Sequence, residues 1–357
     1  MPPRFRRSDN GPVESPTSVR SARPLPARIS QLPLHQRAAR LLRARATSVK
    51  NALRARVIKS FPLGYEILFT RGNFDESLIA MIAGHREIMH LMRRSALRAL
   101  VTDHPPMVYR CYRMYLASSF TKKARRAVLI EHYLYLLSRV STIFFNEILR
   151  NRPRLWQKII GPDAFAIRLS FTGELQHEGD LLLEFEQNSV PIYSLSYSIA
   201  PGRLVGSSAA QVILIARVQG AVGEFDAIRH ATKTCLDIAP PYLLMAVVQG
   251  IADALHIGEI AGVKNEEQLT ANIDNSRTVY FDYDEFWRVH MGTEAEKFYL
   301  IPVPIPEKPL ELITTVHRRR TRFKRRFKSE VTEISGATFC RFLTGHTRTS
   351  VDVPRRP

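Results

Sequence analysis

The stretch Gln211–Asn265 restricts the fold more than any other part of the chain. It opens with an apolar, β-rich run, Gln211–Val218, and turns at Gln219-Gly220. Helical material follows to about Ile257, and a short strand, Ile260–Val263, closes it. Strand, glycine-containing turn, helix and strand make a βαβ-like unit, and α/β folds often place ligand sites at such turns.

The segments around this unit define the rest of the architecture. Three further strands are predicted before it, Phe165–Phe171, Leu181–Glu186 and Ile192–Ile199, which makes Val212–Val218 the fourth. The separators carry Gly173, Gly179, Asn188 with Pro191, and Pro201-Gly202, which is hairpin punctuation and favours an antiparallel meander. Helices are expected at Phe225–Leu236 and Pro240–Leu255, the second with prolines at its start and Gly258 past its end. Strand Thr278–Tyr283, helix Asp284–His290 and strand Lys297–Ile301 complete this part.

Before Gly161 the periodicity is helical. Leu63–Ala83, His85–Val101 and one long helix, Lys122–Arg150, are separated by Asp103-His104-Pro105-Pro106, where proline disfavours helix. The expected fold class is therefore α+β: a helical N-terminal half packed on a mixed, mainly antiparallel sheet. The expected organisation is a basic, largely disordered arm over 1–59 and a domain over 60–345. That domain divides into a helical part (60–160), a sheet part (165–301) and a basic C-terminal helix (310–345). A disordered tail, 346–357, follows.

Charge sharpens this division. The chain of 357 residues has a formal net charge of +19. Residues 1–60 hold 14 Lys/Arg against Asp9 and Glu14, and 311–330 hold 8 against Glu311 and Glu330. Residues 61–310 are close to neutral, with 26 basic against 27 acidic side chains. Basic ends flanking a neutral body point to a polyanionic partner. Three widely spaced cysteines exclude a disulfide framework and a CxxC zinc site, and point to a reducing compartment. No apolar run approaches the ~20 residues that span a bilayer. The arm has no apolar stretch of the kind a Sec signal needs; it shares its Arg-rich composition with transit peptides, but a solvated arm is the expectation.

No complete catalytic motif appears. HExxH, GxSxG and Walker patterns are absent, and the histidines lack metal-ligand spacing, so no metal is expected. Alternation of Ser194, Ser196 and Ser198 with Tyr193, Leu195 and Tyr197 reads as one polar and one apolar strand face. Asp284 reads as a helix N-cap, with Trp287 and its aromatic neighbours as a core anchor.

The chain resembles the VirK/YbjX family, bacterial proteins built on a domain of unknown function. The features that carry the resemblance are His132-Tyr133 within its helix, Glu178-Gly179 between strands, Gln219-Gly220 after the fourth strand, and Thr232-Lys233. Pro241-Tyr-Leu-Leu, Gly262-Val263-Lys-Asn265, Tyr283-Asp284-Glu-Phe286-Trp287 and the basic run Arg318–Phe327 follow in order. The resemblance spans about 60–345 and leaves the Arg-rich arm outside. It implies an envelope-related accessory role (surface-protein localisation, virulence, or resistance to cationic antimicrobial peptides) and no established reaction or cofactor.

The order of elements is also similar to the GNAT N-acyltransferase fold. There, backbone amides after the fourth strand bind the acyl-CoA pyrophosphate at a helix N-terminus. The corresponding loop is Gln219–Asp226, with Gly220 and Gly223. It departs from the usual spacing, because Val222 and Glu224 stand where glycines would. Glu224 and Asp226 favour a self-capped helix, while Arg229 and Lys233 either offset their charge or pair with them. Acyl-CoA is thus the possible cofactor, and acyl transfer the enzymatic alternative. Nucleic-acid binding rests only on the basic ends.

Anionic lipid or envelope components are the expected partners. Arg318, Arg319, Arg320, Arg322, Lys324, Arg325 and Arg326 are the expected contacts, in a cytoplasmic protein peripheral to the inner membrane.

Overall fold

The structure is a computed structural model, and it describes residues 76–173, 177–269 and 281–345. The arm 1–59, the helix start expected at Leu63, Thr278–Tyr280 of one expected strand, and the tail 346–357 lie outside the described residues.

The helical portion contains α1 (Glu76–Met92), α2 (Arg98–Asp103), α3 (Lys122–Arg139) and α4 (Thr142–Arg150), with a 3-10 stretch, Pro105–Tyr112, between α2 and α3. The sheet follows as β1 (Arg154–Ile160), β2 (Asp163–Phe171), β3 (Leu181–Gln187), β4 (Val190–Pro201) and β5 (Gln211–Gly220). Next come α5 (Phe225–Thr234), α6 (Pro240–Leu255), β6 (Glu259–Val263), α7 (Tyr283–Val289), β7 (Thr293–Glu294), β8 (Phe298–Pro302) and α8 (Thr315–Cys340).

Among the described residues the strands form one sheet in the order β1-β2-β3-β4-β5-β6-β8-β7. β1 to β5 are an antiparallel meander. β5 and β6 pair parallel from Ile213↔Ile260 to Ile215↔Gly262, and α5 and α6 make the crossover that a parallel pair requires. The α+β class and the mainly antiparallel sheet expected from periodicity are therefore present.

Several local expectations need correction: α1 runs unbroken through Gly84, where one helix is expected to end and another to begin, and Tyr283, expected to end a strand, opens α7. A strand, β1, occupies Arg154–Ile160, so the run expected as the fourth strand is β5. The helix expected over Lys122–Arg150 is broken: Val140 bridges Leu343, and the Ser141 amide donates to the Phe342 carbonyl at 2.7 Å. The Phe225 helix stops at Thr234, because Leu236 and Asp237 adopt positive φ. Ser196 and Ser198 are fully buried beside a bulge at Ser196/Tyr197, so β4 has no polar solvent face there.

The core lies on both sides of β4 and β5. β4 is buried continuously from Leu195 to Pro201, and β5 from Val212 to Ala216, so each strand is covered on both faces. α3 and α6 both pack against β4. α6 is apolar around almost its whole circumference and lies in the interior, where each fully buried Leu, Val or Ile contributes ~1.5–3 kcal/mol. α8 docks along α6 and β1 through Phe327, Val331, Ser335 and Phe339, a stripe at one-turn spacing. The two helices cross closely at Gly250, where an added Cβ would fall 2.4 Å from the Thr332 carbonyl oxygen.

Candidate functional site: a cationic cleft beside a filled fork

His132 and Tyr133 belong to a closed polar network centred on Asp180. The Asp180 carboxylate accepts from Arg110 Nη1 and Tyr133 OH, each at 3.1 Å, from Ser198 Oγ at 2.6 Å, and from Tyr115 OH. Arg110 also donates to Thr172 Oγ1 at 2.9 Å and to the Thr172 and Gly179 carbonyls at 3.0 Å. The Arg110 and Asp180 side chains are only 5% and 0% exposed, so the cluster binds the 3-10 stretch and α3 to the strands and offers no open face. Burial opposes the Asp180 charge, yet Arg110 and the hydroxyl donors outweigh it and hold the carboxyl below its ordinary range. His132 Nδ1 accepts from the Ile199 amide at 3.0 Å, and burial keeps the imidazole neutral.

Glu178 pairs with Arg217 at 3.3 Å, and Arg217 Nε donates to Gln219 Oε1 at 2.8 Å. Gly220 faces Ile228, and an added Cβ would lie 2.9 Å from it. Gly223 turns the chain into α5 with φ +86°. The expected self-cap does not form: Glu224 is the N-cap residue but makes no side-chain capping bond. Asp226 instead pairs with Arg229 at 3.7 Å, and Arg229 and Lys233 are exposed.

The fork where β5 and β6 diverge is filled. Gln268 Nε2 donates to the Ala216 carbonyl. Tyr283 OH accepts the Val218 amide at 3.0 Å and donates to the Val218 carbonyl at 3.1 Å. Trp287 Nε1 donates to the Val263 carbonyl at 2.7 Å, and its indole lies on Gly262. The α7 cap is Asp282, which accepts from the Glu285 amide; Asp284 accepts the Asn265 amide at 3.0 Å instead.

An open cleft of about 1090 Å³ lies between α6, the end of α7, the linker segment Ile305–Lys308 and α8. Ile238, Tyr242, Met245 and Ala246 give it an apolar floor, continued by Val289 and Ile305. Seven Lys/Arg side chains line it, against the two carboxylates of Asp237 and Glu307. Arg325 Nε holds Glu307 at 2.9 Å, with Lys328 Nζ at 3.9 Å. Lys324 Nζ donates to the Asp237 carbonyl at 2.7 Å, and burial and Arg320 lower its pKa. Among the described residues Arg322 and Arg326 have no ion-pair partner.

His290 also lines the cleft, stacked on Tyr242. Its Nδ1 donates to the Phe286 carbonyl at 2.8 Å, and burial pushes its pKa down to about 4. The imidazole is therefore neutral near pH 7.

Of the residues singled out from sequence, Arg322, Lys324, Arg325 and Arg326 come together at this cleft. Arg318 donates to the Ile313 and Glu311 carbonyls, Arg320 pairs with Asp237 at 2.6 Å, and Arg319 lies over the Phe323 ring. Sequence reasoning missed Arg110, Tyr115 and Asp180, and the cleft residues Tyr242, Met245, His290 and Glu307. Each acquires its role only from partners distant in the chain.

These elements define an α+β domain with one mixed sheet and a cleft walled by helices. A family described as a protein of unknown function (DUF535) matches residues 73–329. The chain belongs to this family, the VirK/YbjX family. It is 25% identical over 241 residues to the uncharacterized protein YbjX of Escherichia coli (strain K12), covering 65% of this chain and 71% of that one. Two uncharacterized proteins of Haemophilus influenzae are also similar: one is 23% identical over 215 residues (60% of this chain, 68% of the relative). The other is 24% identical over 145 residues (40% and 46%). No solved structure matches.

Proposed function

We propose that the chain is an accessory protein of the cell envelope that attaches to anionic lipid surfaces through the N-terminal half of α8. One observation carries the reading. Arg319, Arg322 and Arg326 share a side of this helix with Val316, 86% exposed, and Phe323, 51% exposed. Cations interleaved with exposed apolar side chains suit a helix lying in a lipid interface, with Phe and Val entering and Arg meeting phosphates. No helix among the described residues is long and apolar enough to cross a membrane, and this attachment needs none. The envelope role is the one the family resemblance implies, and a cytoplasmic position on the inner leaflet suits the cations.

Acyl transfer is the weaker reading. The parallel β5–β6 pair is of the GNAT-like kind, but an extended amide ligand in the fork would need the Ala216 and Val218 backbone groups. Gln268 and Tyr283 already hold them.

Co-sedimentation with vesicles tests the proposal. Binding should require phosphatidylglycerol, fall with added salt, and be near zero on phosphatidylcholine alone. At ~1 kcal/mol per cation, a triple Arg319→Gln, Arg322→Gln, Arg326→Gln variant should bind about a hundredfold more weakly. Equal binding to neutral vesicles, or an unchanged triple variant, would remove α8 as the contact.

A further inference from the structure

We infer that the cleft between α6, α7, the Ile305–Lys308 segment and α8 is a binding site for a single amphiphilic phosphate, a phosphate head carrying a hydrocarbon chain. This goes beyond surface attachment, because a bilayer face does not need a cavity. At about 1090 Å³ the cleft is large enough to hold a ligand, and it sets an apolar floor against a wall rich in Lys and Arg.

The two halves of such a ligand match the two sides of the cleft. Tyr242, Met245, Ala246 and Ile305 present hydrocarbon on the floor side. Met245 is unbranched and flexible and can adapt to a chain. α8 presents Arg322, Arg325, Arg326 and Lys328 within two turns. Seven lining cations against two lining carboxylates leave this partly enclosed space positive, even with Arg288 paired to Glu285 at 3.5 Å. Such an excess calls for an anion of more than one negative charge, and guanidinium groups match phosphate oxygens in geometry.

The chain already shows that this wall takes an anion. The Glu307 carboxylate, on the linker segment, sits on Arg325 at 2.9 Å and near Lys328 at 3.9 Å. It holds two of the cations while Arg322 and Arg326 stay unpaired among the described residues. A phosphate entering over Arg322 and Arg326 would compete with Glu307 for Arg325 and Lys328. Glu307 is thus a resident competitor, and its removal should strengthen binding.

Isothermal titration calorimetry on the full chain tests the site with three probes: dodecyl phosphate below its micelle concentration, inorganic pyrophosphate, and neutral dodecyl maltoside. Dodecyl phosphate should bind one-to-one, and each of the other two at least about tenfold more weakly, since each engages one side only. Arg322→Gln with Arg326→Gln should weaken dodecyl phosphate about tenfold or more, while Glu307→Gln should tighten it several-fold. Pyrophosphate binding as tightly as dodecyl phosphate would reduce the cleft to a bare anion patch and overturn the inference. Maltoside binding as tightly would do the same by reducing it to an apolar one. So would a Glu307→Gln variant that binds no more tightly than the parent.

The surface reading fails separately. Arg319→Gln with Phe323→Ser should lose vesicle binding and keep dodecyl phosphate. Glu307→Gln should change dodecyl phosphate binding and leave vesicle partition as it was.

Discussion

Replacing Arg110 with methionine is expected to destabilise the fold by about 3–5 kcal/mol, among the largest effects of any single substitution. Asp180 is fully buried and Arg110 nearly so, and the pair meets at 3.1 Å. Without Arg110, a carboxylate is left in the interior with hydroxyl donors alone. The Thr172 and Gly179 carbonyls lose their donor as well. Urea denaturation should show the midpoint falling at unchanged slope. Adding Asp180→Asn should recover part of the loss, because the orphaned charge goes with it.

The pH dependence has a defined sign. Asp180 has a depressed pKa in the folded state, so its contribution is present above its unfolded value near 3.8 and is lost as pH falls through the folded value. The gap between the parent and Arg110→Met should therefore narrow in acid. A loss below about 1 kcal/mol at neutral pH would mean that the network is not the clamp described.

Truncating Trp287 to alanine should cost a similar ~3–5 kcal/mol. The indole is fully buried, donates to the Val263 carbonyl at 2.7 Å, and lies edge-on to Phe286 at 4.9 Å. Its seat exists because residue 262 is glycine: a Cβ there would come 2.3 Å from the ring. Trp287→Phe should cost less, about 1–3 kcal/mol, from the unsatisfied carbonyl and lost volume. Since Arg288–Met291, at and just past the end of α7, wall the cleft, the alanine variant should also weaken dodecyl phosphate binding. Calorimetric unfolding checks the first effect, and a loss under 1 kcal/mol would contradict the packing account.

Parts of this were legible in the sequence because their signals are local. The bounds of α6 are legible to the residue, since two prolines open it and an apolar run, Tyr242–Val248, fills its first half. β3 and β4 were bounded by glycine, asparagine and proline. β1 was hidden: Arg154–Ile160 is an edge strand of mixed polarity, and Trp156 is buried by Phe327, far away in sequence. The break at Val140–Ser141 is made by backbone bonds with Phe342 and Thr344, which leave no mark on the local pattern. Arg110 and Asp180 look like surface residues until the fold joins them. The basic run of α8 was plain from charge alone, but the cleft was not, because its floor, its strap and its cationic wall come from four separate segments.

Contact between α8 and lipid is read out by a positional probe on the helix itself. Cys111 and Cys235 are buried, so a Cys340→Ser background allows one introduced cysteine to carry an environment-sensitive fluorophore. The label is placed in turn at Phe323 and at Val222, 90% exposed on the loop after β5. With phosphatidylglycerol vesicles, emission should shift to the blue from position 323 and stay unchanged from position 222. A shift from 222 alone, or equal shifts from both, would contradict that contact.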